Sequence, residues 1–342
     1  MTAPLLRVEG LTVDYPAGRR GSTRAVDAVD LDIDAGQTVG LVGESGSGKS
    51  TIGRAVLGLA PITAGRILFD GQDVADLRRR HGTVDGLQVV FQDPYSSLDP
   101  TKTIGWSVAQ PLVTRRGRAP GRHRPQVRDE VLAMLERVGL PASSAGRYPA
   151  QFSGGQRQRV AIARALITEP RLVICDEVVS ALDLSVQAQV INLLADLQAE
   201  RGLAYLFIGH DLDVVEHLSD HLVVLYRGRV LETGDARQVN RTPAHPYTRA
   251  LVASAPVSDP AAQQLRRAQR ESLKVVPRRA APLGESCPFE HRCPIAEQRC
   301  RDERPALRVI GPGRRAACHL VDTDDTDDAV GAASSGLAGG GS

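Results

Sequence analysis

The sequence predicts an α/β fold whose sheet carries a phosphate-binding loop. Three observations predict it. Residues 38–42 form a short apolar run feeding directly into Gly43-Glu44-Ser45-Gly46-Ser47-Gly48-Lys49-Ser50-Thr51, and residues 50–59 then read as a helix. Strand, glycine loop and helix in that order are the setting in which such a loop binds phosphate. Residues 172–175 and 205–208 are short, wholly apolar runs, as in strands buried on both faces of a parallel sheet. The first of these runs ends in two acids, Asp176 and Glu177.

The remaining elements follow in chain order. Residues 5–13 alternate apolar and polar side chains as an edge strand does, and residues 26–33 do likewise. Residues from about 93 to 165 read as mainly helical, interrupted by an arginine-rich loop between Arg115 and Arg128. The arginines there are read as solvated loop charge. Residues 222–226 and 229–232 predict a hairpin turning at Arg227-Gly228. Beyond Gly234 proline and polar residues become more frequent, and four of the five cysteines fall between Cys287 and Cys318. From Asp322 come five aspartates in seven residues, then Ala, Gly and Ser, too little apolar surface to fold. The organisation expected is a nucleotide-binding domain over 1–235, with a helical subdomain at about 93–165. A small cysteine-containing extension over 236–321 and a disordered tail over 322–342 follow. There is no internal repeat, hence one such domain.

Composition narrows the class. At 342 residues, 42% hydrophobic and 24% charged, the chain is that of a globular protein, and its formal net charge of +2 argues against nucleic acid as main partner. Lys49, Lys102 and Lys274 are the only lysines, a bias read as genomic base composition. No run approaches the roughly 18 apolar residues that span a bilayer, and residues 1–11 show no secretory signal. The expectation is a cytoplasmic protein that reaches a membrane only through a protein partner.

The chemistry follows from the residue types. Glycines let the loop backbone curl so that several amide N–H groups converge on a β-phosphate, aided by the positive end of the following helix. Lys49 then reaches the β- and γ-phosphates and the Ser50 hydroxyl coordinates Mg²⁺. Asp176 and Glu177, at the C-terminal end of a buried strand, face that loop. Asp176 is placed to hold Mg²⁺, and Glu177 to polarise an attacking water as general base.

Between loop and acids lies Phe152-Ser153-Gly154-Gly155-Gln156, and with it the chain resembles the ATP-binding cassette (ABC) family, whose defining sequence is Ser-Gly-Gly-Gln. The resemblance implies an ABC-type nucleotide-binding domain: a mixed-sheet core, an N-terminal antiparallel β subdomain and a helical subdomain. It implies that two ATPases pair head to tail, Ser153, Gly154, Gly155 and Gln156 acting on the partner's ATP. Gln92 matches the glutamine that senses Mg²⁺ and water and relays to the membrane partner. His210 matches the switch histidine at the γ-phosphate, and Asp183 the loop crossing the dimer interface. Tyr15 is placed to stack on adenine. Three residues depart from the family pattern: Phe152 for leucine, Val178 for proline and Gly209 for serine.

The stretch Phe91-Gln92-Asp93-Pro94-Tyr95-Ser96-Ser97-Leu98-Asp99-Pro100 resembles the ATP-binding subunits of oligopeptide and dipeptide importers. So does His245-Pro246-Tyr247-Thr248-Arg249-Ala250-Leu251, which opens that group's C-terminal extension. Residues 48–54 resemble the second, F-type, of the two ATPase subunits each such transporter carries. The resemblance implies a second ABC ATPase subunit, identical or different, two permease subunits and, indirectly, an extracytoplasmic substrate-binding protein. Location at the cytoplasmic membrane face follows. Nickel importers share these features, and a soluble non-transport ABC ATPase is the remaining alternative. For Cys287, Cys293, Cys300 and Cys318 three readings stay open: a [4Fe–4S] cluster, known in members of this group, a zinc site, or free thiols. Cys175, inside an apolar strand, reads as a small buried hydrophobe.

Overall fold

The structure, a computed structural model, describes residues 3–17, 21–93, 97–115, 125–180, 182–254 and 284–321. The tail expected over 322–342, and residues 116–124 of the arginine-rich stretch, lie outside the described residues. Two sheets organise the chain. Near the N-terminus, β1 (Leu6–Ala17), β2 (Gly21–Ile33), β4 (Ile62–Phe69) and β5 (Gln72–Asp73) form an antiparallel sheet in the order β2-β1-β4-β5. The edge-strand expectation for residues 5–13 is therefore corrected: β1 is flanked on both sides, and β2 and β5 are the edges. Alternation reports one buried face, not the number of neighbours.

The main sheet has a parallel centre. β3 (Thr38–Val42), buried at every residue, pairs in parallel with β8 (Ala204–Gly209) and β9 (His221–Tyr226). β8 continues to β7 (Leu172–Asp176), and β7 to β6 (Leu87–Val90). On the other side β10 (Arg229–Asp235) returns antiparallel to β9 through a two-residue turn at Arg227 (φ 48°) and Gly228 (φ 80°). Positive φ at both central residues is what a tight hairpin matching strand twist requires. The segment after residue 235 adds β12 (Arg314–Ala316) to β10, and β11 (Arg308–Gly311) to β12, so it extends this sheet.

Helices cover the sheet: α1 (Lys49–Val56), α2 (Val74–His81), α3 (Ile104–Arg115), α4 (Pro125–Arg137), α5 (Gly154–Leu166), α6 (Leu184–Arg201) and α7 (Leu212–Leu218). The C-terminal segment adds α8 (Ala236–Arg241), α9 (Pro246–Ser254) and the short α10 (Gln298–Asp302). Residues 125–128, expected within the arginine-rich loop, belong instead to the first turn of α4. None of the helices of the described residues is long and apolar enough to cross a membrane.

Strand period two divides the core. Leu172, Ile174, Leu206, Ile208, Val223 and Leu225 face a cluster shared with β1, β2 and α1. Val173, Cys175, Tyr205, Phe207, Leu222, Val224 and Tyr226 face a second cluster under the helices. Both faces are buried, which is why these strands read as unbroken apolar runs. Register then builds the site: Val42 pairs Gly209, and Asp176 pairs Ile208. The parallel strands thus deliver Gly43, Glu177 and His210 to one edge, the C-terminal edge where ligands bind in such sheets.

Candidate nucleotide site

Between β3 and α1 the loop closes around Lys49. Two of its glycines admit no side chain: a Cβ on Gly43 would lie 2.1 Å from the Leu225 carbonyl oxygen, and one on Gly48 2.5 Å from that of Ala25. Gly48, at φ 106°, is also the N-cap of α1, so the helix begins with its free N–H groups aimed at the loop. The Lys49 ammonium is buried and donates to the carbonyl oxygens of Gly43 (2.7 Å) and Glu44 (2.9 Å). Burial lowers its pKa, while the charges of Glu177, Asp176 and Glu44 pull it back up. Ser47 is buried beside it, while Ser45 and Gly46 are exposed at the tip. Thr51 lies in the first turn of α1 and is half-buried.

The Ser50 hydroxyl donates to Asp176 Oδ1 at 3.0 Å. Burial holds the Asp176 carboxyl above its usual range, with the Ser50 bond acting against it. A hydroxyl beside a half-buried carboxylate is a donor set that fits Mg²⁺. Glu177 sits one residue on, at φ 49°, where its N–H donates to Ile208 O at 2.9 Å. That left-handed backbone in a non-glycine residue costs on the order of 1–3 kcal/mol and is typical of functional positions. Its Oε2 accepts from Gln92 Nε2 at 2.7 Å and lies 3.7 Å from His210 Nδ1. Gln92, expected among the Mg²⁺ ligands, is turned toward Glu177 and Ser180 here. Glu177, Gln92 and His210 are thus gathered around one point, beside Ser50, Asp176 and Lys49.

The Ser153–Gln156 sequence is placed differently. Ser153 is the N-cap of α5, accepting from the Gln156 N–H, while the Gln156 side chain accepts from the Ser153 N–H. This reciprocal cap fixes the turn and leaves Ser153 and Gln156 exposed. Gly154 is half-buried, and Gly155 packs against Val186 of α6 so closely that a Cβ would lie 2.2 Å from Val186 Cγ1. Asp183 caps α6, accepting from Val186 N (3.0 Å) and Ser185 Oγ (2.7 Å), bonds that hold its carboxyl below the usual range. Asp183 is exposed and the neighbouring Leu184 is 85% exposed. Tyr15 lies on β1 opposite Thr23, half-buried against the α1-side core.

The four C-terminal cysteines converge. Cys287, Cys293, Cys300 and Cys318 line one small cavity with His245, Phe289 and His319. Burial pushes the Cys287 thiol up to about 12 and Cys293 to about 11, with the neighbouring thiols adding to the effect. The donors suit a thiolate metal centre, but the space between them does not: the cavity is about 10 Å³, and among the described residues no three such groups are placed to hold a metal ion. Cys175 is wholly buried in β7, as expected.

Comparison with known proteins decides the family. A sequence model described as "ABC transporter" matches residues 26–180, and one described as "Oligopeptide/dipeptide transporter, C-terminal region" matches residues 231–300. YkfD of Bacillus subtilis (strain 168) is 42% identical over 331 residues, 96% of this chain and 98% of its own length. The chain belongs to the ABC transporter ATP-binding proteins. Another relative is the oligopeptide transport ATP-binding protein AppF of the same organism, 46% identical over 305 residues, covering 88% of this chain and 90% of AppF. Among solved structures, the dimeric post-hydrolysis state of the ATP-binding cassette MJ0796 with ADP and Pi superposes with a TM-score of 0.58. It is 29% identical and covers 68% of this chain and 99% of that one.

Two departures from the usual ABC sequence have a packing reason. A Cβ on Gly209 would meet Val215 Cγ2 at 2.6 Å, so a serine there does not fit beside this α7. Phe152 is buried and takes the Arg147 guanidinium over its ring at 4.4 Å. Val178 is simply a buried apolar residue. Sequence reasoning missed Tyr247 and Arg292, which contact Glu44 of the phosphate loop from the C-terminal segment. The His245-Pro246-Tyr247 sequence was visible as a subfamily mark but carried no hint of that contact.

Proposed function

We propose that this chain is the ATP-hydrolysing subunit of an ABC importer of peptides, of the dipeptide and oligopeptide class. The observation that carries the reading is the near-full-length identity to oligopeptide transport ATP-binding proteins, together with a gathered site of Lys49, Ser50, Asp176, Glu177, Gln92 and His210. In this reading the loop amides and Lys49 bind the triphosphate, Lys49 exchanging its carbonyl partners for phosphate oxygens. Tyr15 stacks on the adenine. Ser50 and Asp176 hold Mg²⁺, which when bound neutralises charge on the β- and γ-phosphates. Glu177 accepts a proton from the attacking water, oriented by Gln92, as water oxygen bonds to the γ-phosphorus and ADP leaves. His210 contacts the γ-phosphate. Most of the rate comes from positioning and charge stabilisation.

The exposed Ser153 and Gln156, and the exposed Asp183-Leu184 step, support a paired mechanism. One chain holds two half-sites, and a second ATPase subunit completes each. Closure on ATP then drives two permease subunits, with the chain peripheral to the membrane at its cytoplasmic face and a substrate-binding protein delivering solute outside. The test is uptake: a strain lacking this chain must lose accumulation of a labelled di- or tripeptide, regain it with the wild-type gene and not with Lys49→Ala. Restored uptake of nickel but not peptide would refute the peptide class.

Of the three readings of the four cysteines we favour free thiols, since the cavity between them is about 10 Å³ and no metal-holding group is found among the described residues. Protein purified without oxygen should then be colourless and free of iron, sulfide and zinc. Brown protein containing iron and sulfide would refute it.

A further inference from the structure

The C-terminal segment reaches the phosphate loop at its first peptide. Glu44 N–H donates to the Tyr247 hydroxyl oxygen at 2.9 Å, across 203 residues of sequence. The carbonyl of the same peptide unit, Gly43 O, takes the Lys49 ammonium at 2.7 Å. A peptide unit is planar, with N–H and C=O pointing opposite ways. Holding its N–H on Tyr247 therefore fixes the side on which its carbonyl meets Lys49.

The Glu44 side chain is held from the same segment. Arg292 Nη1 donates to Glu44 Oε2 at 2.8 Å and approaches the Tyr226 hydroxyl at 3.5 Å. Its guanidinium stands 5.8 Å from the Tyr226 ring centre and 5.6 Å from that of Phe289. Tyr226, Tyr247 and Phe289 pack mutually, with ring centres 4.6 to 5.4 Å apart. Tyr247 and Phe289 are essentially wholly buried. A rigid aromatic block therefore presents one hydroxyl and one cation to Glu44. Glu44 is a carboxylate inside a loop that must accept a triphosphate, so without a counter-charge it opposes the ligand.

The geometry points to Tyr247 and Arg292 as positioning residues for the nucleotide site: Tyr247 sets the Gly43–Glu44 peptide against Lys49, and Arg292 neutralises Glu44 ahead of the incoming triphosphate. The C-terminal segment is then part of the ATP site and not only an attachment to it. This rests on the reading that ATP binds at the loop, and it adds residues from outside the loop.

The test is equilibrium binding of a fluorescent ATP analogue with Mg²⁺ to the full-length chain, carrying Glu177→Gln to prevent turnover. Arg292→Gln keeps a hydrogen-bonding side chain and removes the charge. It should weaken binding roughly tenfold at low salt, the scale of one charge-assisted hydrogen bond, and less at high salt. Glu44→Gln should bind more tightly than the parent, and in that background Arg292→Gln should lose most of its effect. Tyr247→Phe should weaken binding several-fold, with unchanged circular dichroism. Unchanged affinity in both Arg292→Gln and Tyr247→Phe overturns the proposal. So does an Arg292→Gln effect of equal size with and without Glu44→Gln, which would mark the arginine as structural only. Lys49→Ala is the separate control: if it binds like the parent, the nucleotide-site reading itself fails.

Discussion

Replacing Gly155 with alanine probes the seam that carries the Ser153–Gln156 sequence. The added Cβ would lie 2.2 Å from Val186 Cγ1, and 3.5 and 3.6 Å from Cβ and Cγ2 of the same valine. Carbon atoms rest at about 3.5–4.0 Å, so α5 and α6 must part by more than about 1 Å or the valine must turn. Turning is opposed because a helical valine has one strongly preferred rotamer, and parting the helices is resisted because Asp183 caps the turn at the Val186 backbone N–H. Overpacking of this kind costs about 1–3 kcal/mol, and alanine's better helix propensity returns at most about 1 kcal/mol. The expected net loss is roughly 1–2 kcal/mol, read as a lower urea midpoint with unchanged slope. On the proposed pairing, ATP-dependent association with a second ATPase subunit should weaken as well, since the seam orients the exposed Ser153. Val186→Ala removes the clashing methyl groups and should recover most of both losses in the double variant. Full stability in Gly155→Ala, or no recovery with Val186→Ala, would refute the packing argument.

Other consequences concern the C-terminal segment and the sheet. Glu232 is fully buried, accepts the N–H groups of Ala244 and His245, and pairs with Arg314 at 2.7 Å. Arg314→Met strands that carboxylate and should cost about 3–5 kcal/mol by denaturant unfolding. Gly209→Ser should lower stability by about 1–2 kcal/mol, and Val215→Ala should make the serine tolerable. Burial depresses the His221 pKa, so the unfolded chain binds the proton more readily. His221 therefore contributes stability above the free-histidine value of about 6.5 that is lost as pH falls through and below it, by at most about 1.4 kcal/mol per pH unit. Unfolding midpoints of His221→Gln should fall less steeply than wild type between about pH 8 and about pH 5.

The nucleotide half of the site was legible because its residues are local. Strand, loop and helix are contiguous, and Asp176, Glu177 and His210 each follow a run apolar enough to mark a buried strand. Parallel register then brings them together without further information. What stayed hidden depends on separation in sequence. Arg292 meets Glu44 across 248 residues, and no periodicity encodes that meeting. The addition of β12 to β10 was equally hidden, because three residues of strand leave no pattern. β1 was misread as an edge because alternation describes faces, not neighbours. Gly209 looked like a departure until Val215 explained it.

Glu177 is proposed to activate water in a site that a second subunit closes. The most direct test is steady-state phosphate release by the assembled transporter with Glu177→Gln in this chain. Turnover at this site should disappear while ATP stays bound and the two ATPase subunits stay associated. Unchanged phosphate release in that variant would contradict the assignment.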